Sequence, residues 1–186
     1  MPELENICRK ARKSALLLAC ASSADKNQWL LAMAKALEEN TATILAANRI
    51  DLEKGAAKGL SGAMLDRLRL DEKRVKGMAD ALRYVTTLPD PVGEELSSFT
   101  REDGLLIKKV SVPVGVMGFI YESRPNVTTD AASLCLKSGN AVILRGGSEA
   151  FASNCAIGDI VIAAAEKSGF RIPAAVIVLQ VPLLKQ

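Results

Sequence analysis

Val114-Gly115-Val116-Met117-Gly118-Phe119-Ile120-Tyr121 and, further on, Ala141-Val142-Ile143-Leu144-Arg145-Gly146-Gly147-Ser148 decide the fold. Each begins as an apolar run of the length a buried strand requires. Between them Arg124-Pro125-Asn126 makes a turn, and a helical pattern through Leu134 and Leu136 stops at Gly139. After Gly146-Gly147 an Ala/Ile-rich helix runs to Gly169, and Ala174 to Leu179 reads as a third strand. Strand, helix, strand, helix, strand predicts a parallel sheet with right-handed crossovers, covered on both faces. That is half of a doubly wound nucleotide-binding fold, and no element follows to cover the edge of the third strand.

Working towards the N-terminus, Asp103-Gly104 lies between Leu96–Arg101 and Leu105–Val112 and predicts a hairpin with a two-residue turn. Everything earlier has helical period. Leu4, Ile7, Cys8, Ala11, Ala15 and Leu18 share one face, and Leu30, Met33, Ala34 and Leu37 share another behind a Ser22-Ser23 cap. A third helix runs from about Thr41 towards Ala57, and Ser61 opens a short one with Met64, Leu65 and Leu68 inward. Asp71 caps a fifth carrying Val75, Met78, Ala79 and Leu82, which Pro89-Asp90-Pro91 ends. The expected class is α/β. Residues 1–93 form the helical N-terminal part of a cofactor-binding domain, 94–112 the hairpin, and 113–186 a partial βαβαβ unit.

Composition narrows the function. In 186 residues, 24 basic and 21 acidic side chains are interspersed, which excludes the clustered basic stripe of a nucleic-acid binder. No apolar stretch has the length of a signal or membrane segment, so no membrane partner and a cytoplasmic location are expected. Cys8, Cys20, Cys135 and Cys155 are scattered among aliphatic residues without a C-x-x-C pair, which reads as reduced thiols and no metal site. The absence of histidine removes His-dependent triads, metal centres and proton shuttles.

Two loops carry chemistry. In Arg145-Gly146-Gly147-Ser148-Glu149 the glycines allow close backbone approach, and free amides at the following helix start favour an anion. Arg145 and Ser148 add charged and neutral donors. A tight strand-to-helix turn, with Glu149 placed well for the helix dipole, is the plainer reading of the same residues. In Glu122-Ser123-Arg124-Pro125-Asn126, at the end of the preceding strand, Asn126 reads on spacing alone as an N-cap and Arg124 as a surface charge. The functional alternative makes the Asn126 amide an oxyanion donor and Arg124 a grip on phosphate or carboxylate.

Val112-Pro113-Val114-Gly115-Val116-Met117-Gly118-Phe119-Ile120-Tyr121-Glu122, with Arg124-Pro125-Asn126-Val127-Thr128, resembles the gamma-glutamyl phosphate reductases of the aldehyde dehydrogenase superfamily. Leu134-Cys135-Leu136-Lys137-Ser138-Gly139-Asn140 continuing to Gly147 does too, as do Asn48–Asp51, Leu60–Leu68 and Asp90-Pro91-Val92-Gly93. The likeness runs to about Pro173. It implies NADPH-dependent reduction of L-glutamyl 5-phosphate to L-glutamate 5-semialdehyde in proline biosynthesis. There a cysteine thiolate expels phosphate, and hydride from NADP(H) reduces the resulting thioester. It implies Asn126 as oxyanion donor and Arg145 and Glu149 at the adenosine ribose, one residue further apart than in the superfamily's Lys-Pro-Ser-Glu pattern. A carboxylate there suits a free 2′-hydroxyl, so the expectation of NADP comes from the family. The resemblance also implies a homo-oligomer associating through the hairpin. It places the nucleophile and the catalytic domain beyond Gln186, so the chain is expected to be inactive alone. Leu134-Cys135-Leu136 reads as core, and Cys135 is not a candidate. The competing readings are a non-catalytic nucleotide-binding or interaction module of the same descent, and another dehydrogenase of the superfamily.

Overall fold

The computed structural model describes residues 2–169 and 172–179. Five helices come first: α1 (Pro2–Leu18), α2 (Ser23–Glu39), α3 (Thr41–Ala57), α4 (Gly62–Leu68) and α5 (Glu72–Thr87). The caps predicted at Ser22 and Asp71 form, and Ser61 caps the short helix it opens. Ser22, Ser61 and Asp71 accept from the amides of Asp25, Met64 and Arg74, each satisfying a backbone donor that the helix itself leaves free. The inward faces of α2 and α5 are those the period predicts, with Leu30, Met33, Leu37, Val75 and Leu82 buried. In α1 only the second half is covered. Ala11, Ala15 and Leu18 are buried, whereas Leu4 and Cys8 stand in solvent on the same stripe.

Strands β1 (Glu95–Thr100) and β2 (Leu106–Val110) pair antiparallel, and every residue in them is exposed. The expected two-residue turn is instead a three-residue loop. Arg101 N–H bonds the Leu105 carbonyl at 2.9 Å and Gly104 N–H bonds the Arg101 carbonyl at 2.9 Å. Gly104 takes φ +86°, the left-handed position that closes a three-residue hairpin.

Parallel strands follow: β3 (Val116–Ile120), α6 (Val127–Lys137), β4 (Ala141–Arg145), a 3-10 turn (Ser148–Ala150), α7 (Phe151–Lys167) and β5 (Val176–Val178), in sheet order β3-β4-β5. The third strand is shorter than the expected 174–179, because residues 173–175 form a turn leading into it. Val181 to Gln186 lie outside the described residues. The sheet advances in one direction, and α6 and α7 pack together, as crossovers of one hand would place them. Helix α1 packs on β3 and β4, while α2, α3 and α5 pack over α6 and α7 as a further layer. Val142 and Leu144 of the central strand are completely buried. β3 is less covered than an apolar run suggests: Phe119 is 40% and Ile120 78% exposed, on an edge with no neighbour beyond it among the described residues.

Candidate functional site

Ile120 lies opposite Arg145 in the parallel β3–β4 ladder, so loops 121–126 and 145–149 leave the sheet side by side at its C-terminal edge. Ligands of open parallel sheets bind at that edge. Tyr121 N–H still donates to the Arg145 carbonyl at 3.1 Å before the chains part. Beneath the loops runs a buried polar chain. The Tyr121 hydroxyl meets Thr128 Oγ1 at 2.7 Å, and the Thr128 hydroxyl donates to Asn154 Oδ1 at 3.2 Å. Burial raises the Tyr121 phenol above its ordinary pKa, which keeps it a neutral donor in this chain.

Asn126 does not perform the capping role that spacing suggests. Its backbone is helical, at φ −60° and ψ −28°, and its side chain caps nothing. Instead Nδ2 donates to Asp130 Oδ2 at 2.9 Å, one turn on. Burial pushes the Asp130 carboxyl up, while the bond from Asn126 pulls the other way. The amide is thereby oriented, and its second hydrogen has no acceptor among the described residues. Asn126, Arg124 and Met78 of α5 all line one cleft of about 440 Å³.

Glu149 is half-buried at the start of the 3-10 turn. Its own backbone N–H holds its carboxyl below the ordinary range against the effect of burial. The Ser148 hydroxyl at 3.0 Å, the Ser123 hydroxyl at 3.3 Å and the charge of Lys58 add to this. It is therefore a fixed carboxylate, suited to accept bonds from a vicinal diol. The bond from Ser123 ties it to the Asn126 loop. Arg145, half-buried, completes this side at the end of β4.

Both glycines are closely packed by the protein's own side chains. A Cβ on Gly146 would lie 2.0 Å from Asn154 Nδ2, and one on Gly147 2.7 Å from Glu149 Oε2. The free-amide anion site expected at the following helix is also already filled. The amides of Ala152 and Ser153 donate to Asp51 at 3.0 and 2.7 Å, and the Ser153 hydroxyl adds a third bond at 2.7 Å. Asp51 reaches there from α3, buried, and its charge matches the positive end of the α7 dipole. Beside it Asn48 Nδ2 donates to the Leu68 carbonyl at 2.8 Å and to Ser153 Oγ at 3.0 Å, while Leu70 N–H donates to Asn48 Oδ1 at 2.8 Å. Sequence reasoning missed this pair as structural groups. The available signal was polar residues at helical spacing on the one face of α3 that is buried, with Ile44 and Gly55.

Burial pushes the Cys135 thiol up to about 11, so at neutral pH it carries no thiolate. Cys155 is also raised, first by burial and then by Asp159 and Asp51. Among the described residues no group of three or more His, Cys, Asp or Glu is placed to hold a metal, and no helix is long and apolar enough to cross a membrane.

No protein-family model matches the chain. It is 56% identical over 167 residues to the gamma-glutamyl phosphate reductase of Moorella thermoacetica, a match covering 90% of this chain and 40% of that protein. The crystal structure of gamma-glutamyl phosphate reductase from Thermotoga maritima superposes with a TM-score of 0.92 at 43% identity, covering 96% of this chain and 43% of the other. A salicylaldehyde dehydrogenase from Pseudomonas putida G7 superposes with a TM-score of 0.72 at 17% identity, over 96% of this chain and 34% of that one, which shows a shared fold. The chain thus spans about 40% of the length of the curated relatives it matches.

Proposed function

This chain is of the gamma-glutamyl phosphate reductase family and corresponds to its N-terminal portion, and on that footing we propose that it is the NADP(H)-binding part of an enzyme that reduces L-glutamyl 5-phosphate to L-glutamate 5-semialdehyde in proline biosynthesis. The observation that carries the proposal is the pairing of two prepared groups at adjacent strand ends: an Asn126 amide with a hydrogen to spare, and a Glu149 carboxylate tied to the same loop through Ser123. Asn126 donates to the substrate carbonyl oxygen as negative charge develops on it. Arg124 pairs with a phosphate or carboxylate of the substrate. Arg145, Ser148 and Glu149 hold the adenosine ribose, on the turn that Gly146 and Gly147 shape.

The residues present fit the ribose of the cofactor, and the α7 amides, taken by Asp51, do not fit its pyrophosphate. When bound, the cofactor supplies hydride. The thiolate nucleophile comes from outside this chain's four cysteines, and the chain alone does not turn over. We also propose residues 1–93, 94–112 and 113–186 as its parts, a cytoplasmic location, and a homo-oligomer to which the exposed β1–β2 ribbon contributes.

The second reading is a non-catalytic nucleotide-binding or interaction module of the same descent. Calorimetric titration with NADPH tests the main proposal. Arg145→Ala is expected to weaken binding at least about tenfold, the loss of one charge-assisted contact of about 1.5–3 kcal/mol. Equal affinity in both proteins would remove the nucleotide from this turn. Phosphate-dependent NADP reduction with glutamate semialdehyde is expected to be absent from the isolated chain; turnover abolished by Cys135→Ser would make Cys135 the nucleophile.

A further inference from the structure

Four arginines face the cleft beside Asn126 (Arg67, Arg69, Arg74 and Arg124) against two carboxylates, Asp66 and Asp130. They are not equivalent. Arg74 is spent internally: its guanidinium donates to the carbonyls of Asp66 and Arg69 at 2.5 and 2.6 Å and pairs with Asp66 Oδ1 at 3.0 Å. Asp130 is engaged by Asn126. The side chains of Arg67, Arg69 and Arg124 have no hydrogen bond or ion pair among the described residues, and every carboxylate in the cleft already has a partner.

The segment bearing Arg67 and Arg69 is also not a loose loop. From the solvent side the Arg74 clamp fixes the Asp66 and Arg69 carbonyls. From the inside, buried Asn48 holds the Leu68 carbonyl and the Leu70 amide, bracketing Arg69. The backbone that carries the two unpaired guanidiniums of Arg67 and Arg69 is thus fixed from both directions, and side chains on a fixed backbone lose less entropy when they bind. Four guanidiniums against two carboxylates leave the lining of one cleft of about 440 Å³ with an excess of positive charge, an arrangement that a bound anion relieves.

We infer that Arg67 and Arg69 form, with Arg124, an anion site that selects the charged end of the substrate, a carboxylate or a phosphate, while Asn126 addresses its carbonyl. This rests on the reading of the chain as part of a reductase of acyl phosphates, and it assigns specificity to the α4–α5 connection. In that arrangement Asn48 and Arg74 are positioning residues, which act through the backbone they hold.

The test titrates inorganic phosphate and, separately, L-glutamate into the chain by calorimetry, with NADPH titrated in parallel. Arg67→Gln and Arg69→Gln are expected each to weaken anion binding about tenfold or more, with NADPH affinity unchanged. Arg67→Lys is expected to restore part of it. Preference for glutamate over phosphate assigns the site to a carboxylate, and the reverse assigns it to a phosphoryl group. Three results overturn the inference: no anion binding by the wild type, glutamine variants that bind like the wild type, or an equal loss in Arg12→Gln on exposed α1. If NADPH fails to bind while the arginine variants still lose anion affinity, the cofactor reading falls and the anion site stands.

Discussion

Asp51→Asn tests the claim that the start of α7 is closed by the chain itself. The carboxylate accepts from two backbone amides and one hydroxyl at 2.7–3.0 Å while buried beneath α3. An asparagine of the same shape keeps one acceptor oxygen and turns an NH₂ group towards a donor. At least one charge-assisted bond, about 1.5–3 kcal/mol, is lost. The interaction of a full charge with the helix terminus, up to about 2 kcal/mol where partly buried, is lost as well. Because the two overlap, the expected destabilisation is about 3 kcal/mol. In a chain of this size that lowers Tm by about 6–12 °C. Urea titration at pH 7 supplies the free energy and calorimetry the Tm. A change below about 0.5 kcal/mol would mean that Asp51 is not the cap. The α7 amides would then return to consideration as a phosphate site.

Glu149→Gln removes a fixed negative charge from the proposed ribose site; if the 2′-position lies there, affinity for NADPH relative to NADH is expected to rise, and an unchanged ratio by parallel titration would place the 2′-position elsewhere. With a thiol reagent at pH 8, exposed Cys8 and Cys20 are expected to label at once and buried Cys135 only on unfolding, so equal labelling rates followed by peptide mapping would contradict the raised thiol. Asp90 gives a pH dependence. Burial acts to raise its carboxyl, but bonds from Lys26, Ser23 and the Val92 amide outweigh it and hold the group below the ordinary range. A depressed carboxyl contributes stability that is present above its unfolded pKa and lost as pH falls through the folded value. Asp90→Asn, which strands the buried Lys26 ammonium, is therefore expected to cost about 3–5 kcal/mol at pH 7 in urea titration. The gap should narrow below about pH 4, and a gap independent of pH would refute the ion pair.

What could be read in the sequence follows from how local each determinant is. Caps at Ser22 and Asp71 need only the next three residues, and they form as expected. The β3-α6-β4-α7-β5 order needs only apolar period and turn residues, and it too forms as expected. Failures occur where a residue's partner is far along the chain. Gly146-Gly147 followed by a helix reads as a tight turn or as a turn with free amides beyond it, and nothing local shows that Asp51, 101 residues before Ala152, takes the amide there. Asn126 reads as an N-cap because spacing does not reveal that the chain there is already helical. The buried Asp51 would be costly in an apolar interior without donors, and the start of α7 offers amides that would otherwise be unsatisfied.

The same long-range network shapes the site. Asn48 and Asp51 lie on one face of α3; the first grips the Leu68–Leu70 segment, and the second caps α7. Ser153 bonds to both side chains and joins them. One face of α3 therefore sets two positions at once: the arginine-bearing segment across the cleft from Asn126, and the helix that follows the Glu149 turn. Asn154, next to Ser153, extends the tie through Thr128 to Tyr121 under the Asn126 loop. A cavity-forming change on the outer side of α3 should leave ligand affinity alone. Asn48→Ala should weaken anion binding by freeing the Leu68–Leu70 segment, although Asn48 touches no ligand. If phosphate and L-glutamate bind Asn48→Ala as they bind the wild type, while its stability falls, then α3 supports the fold but does not position the site.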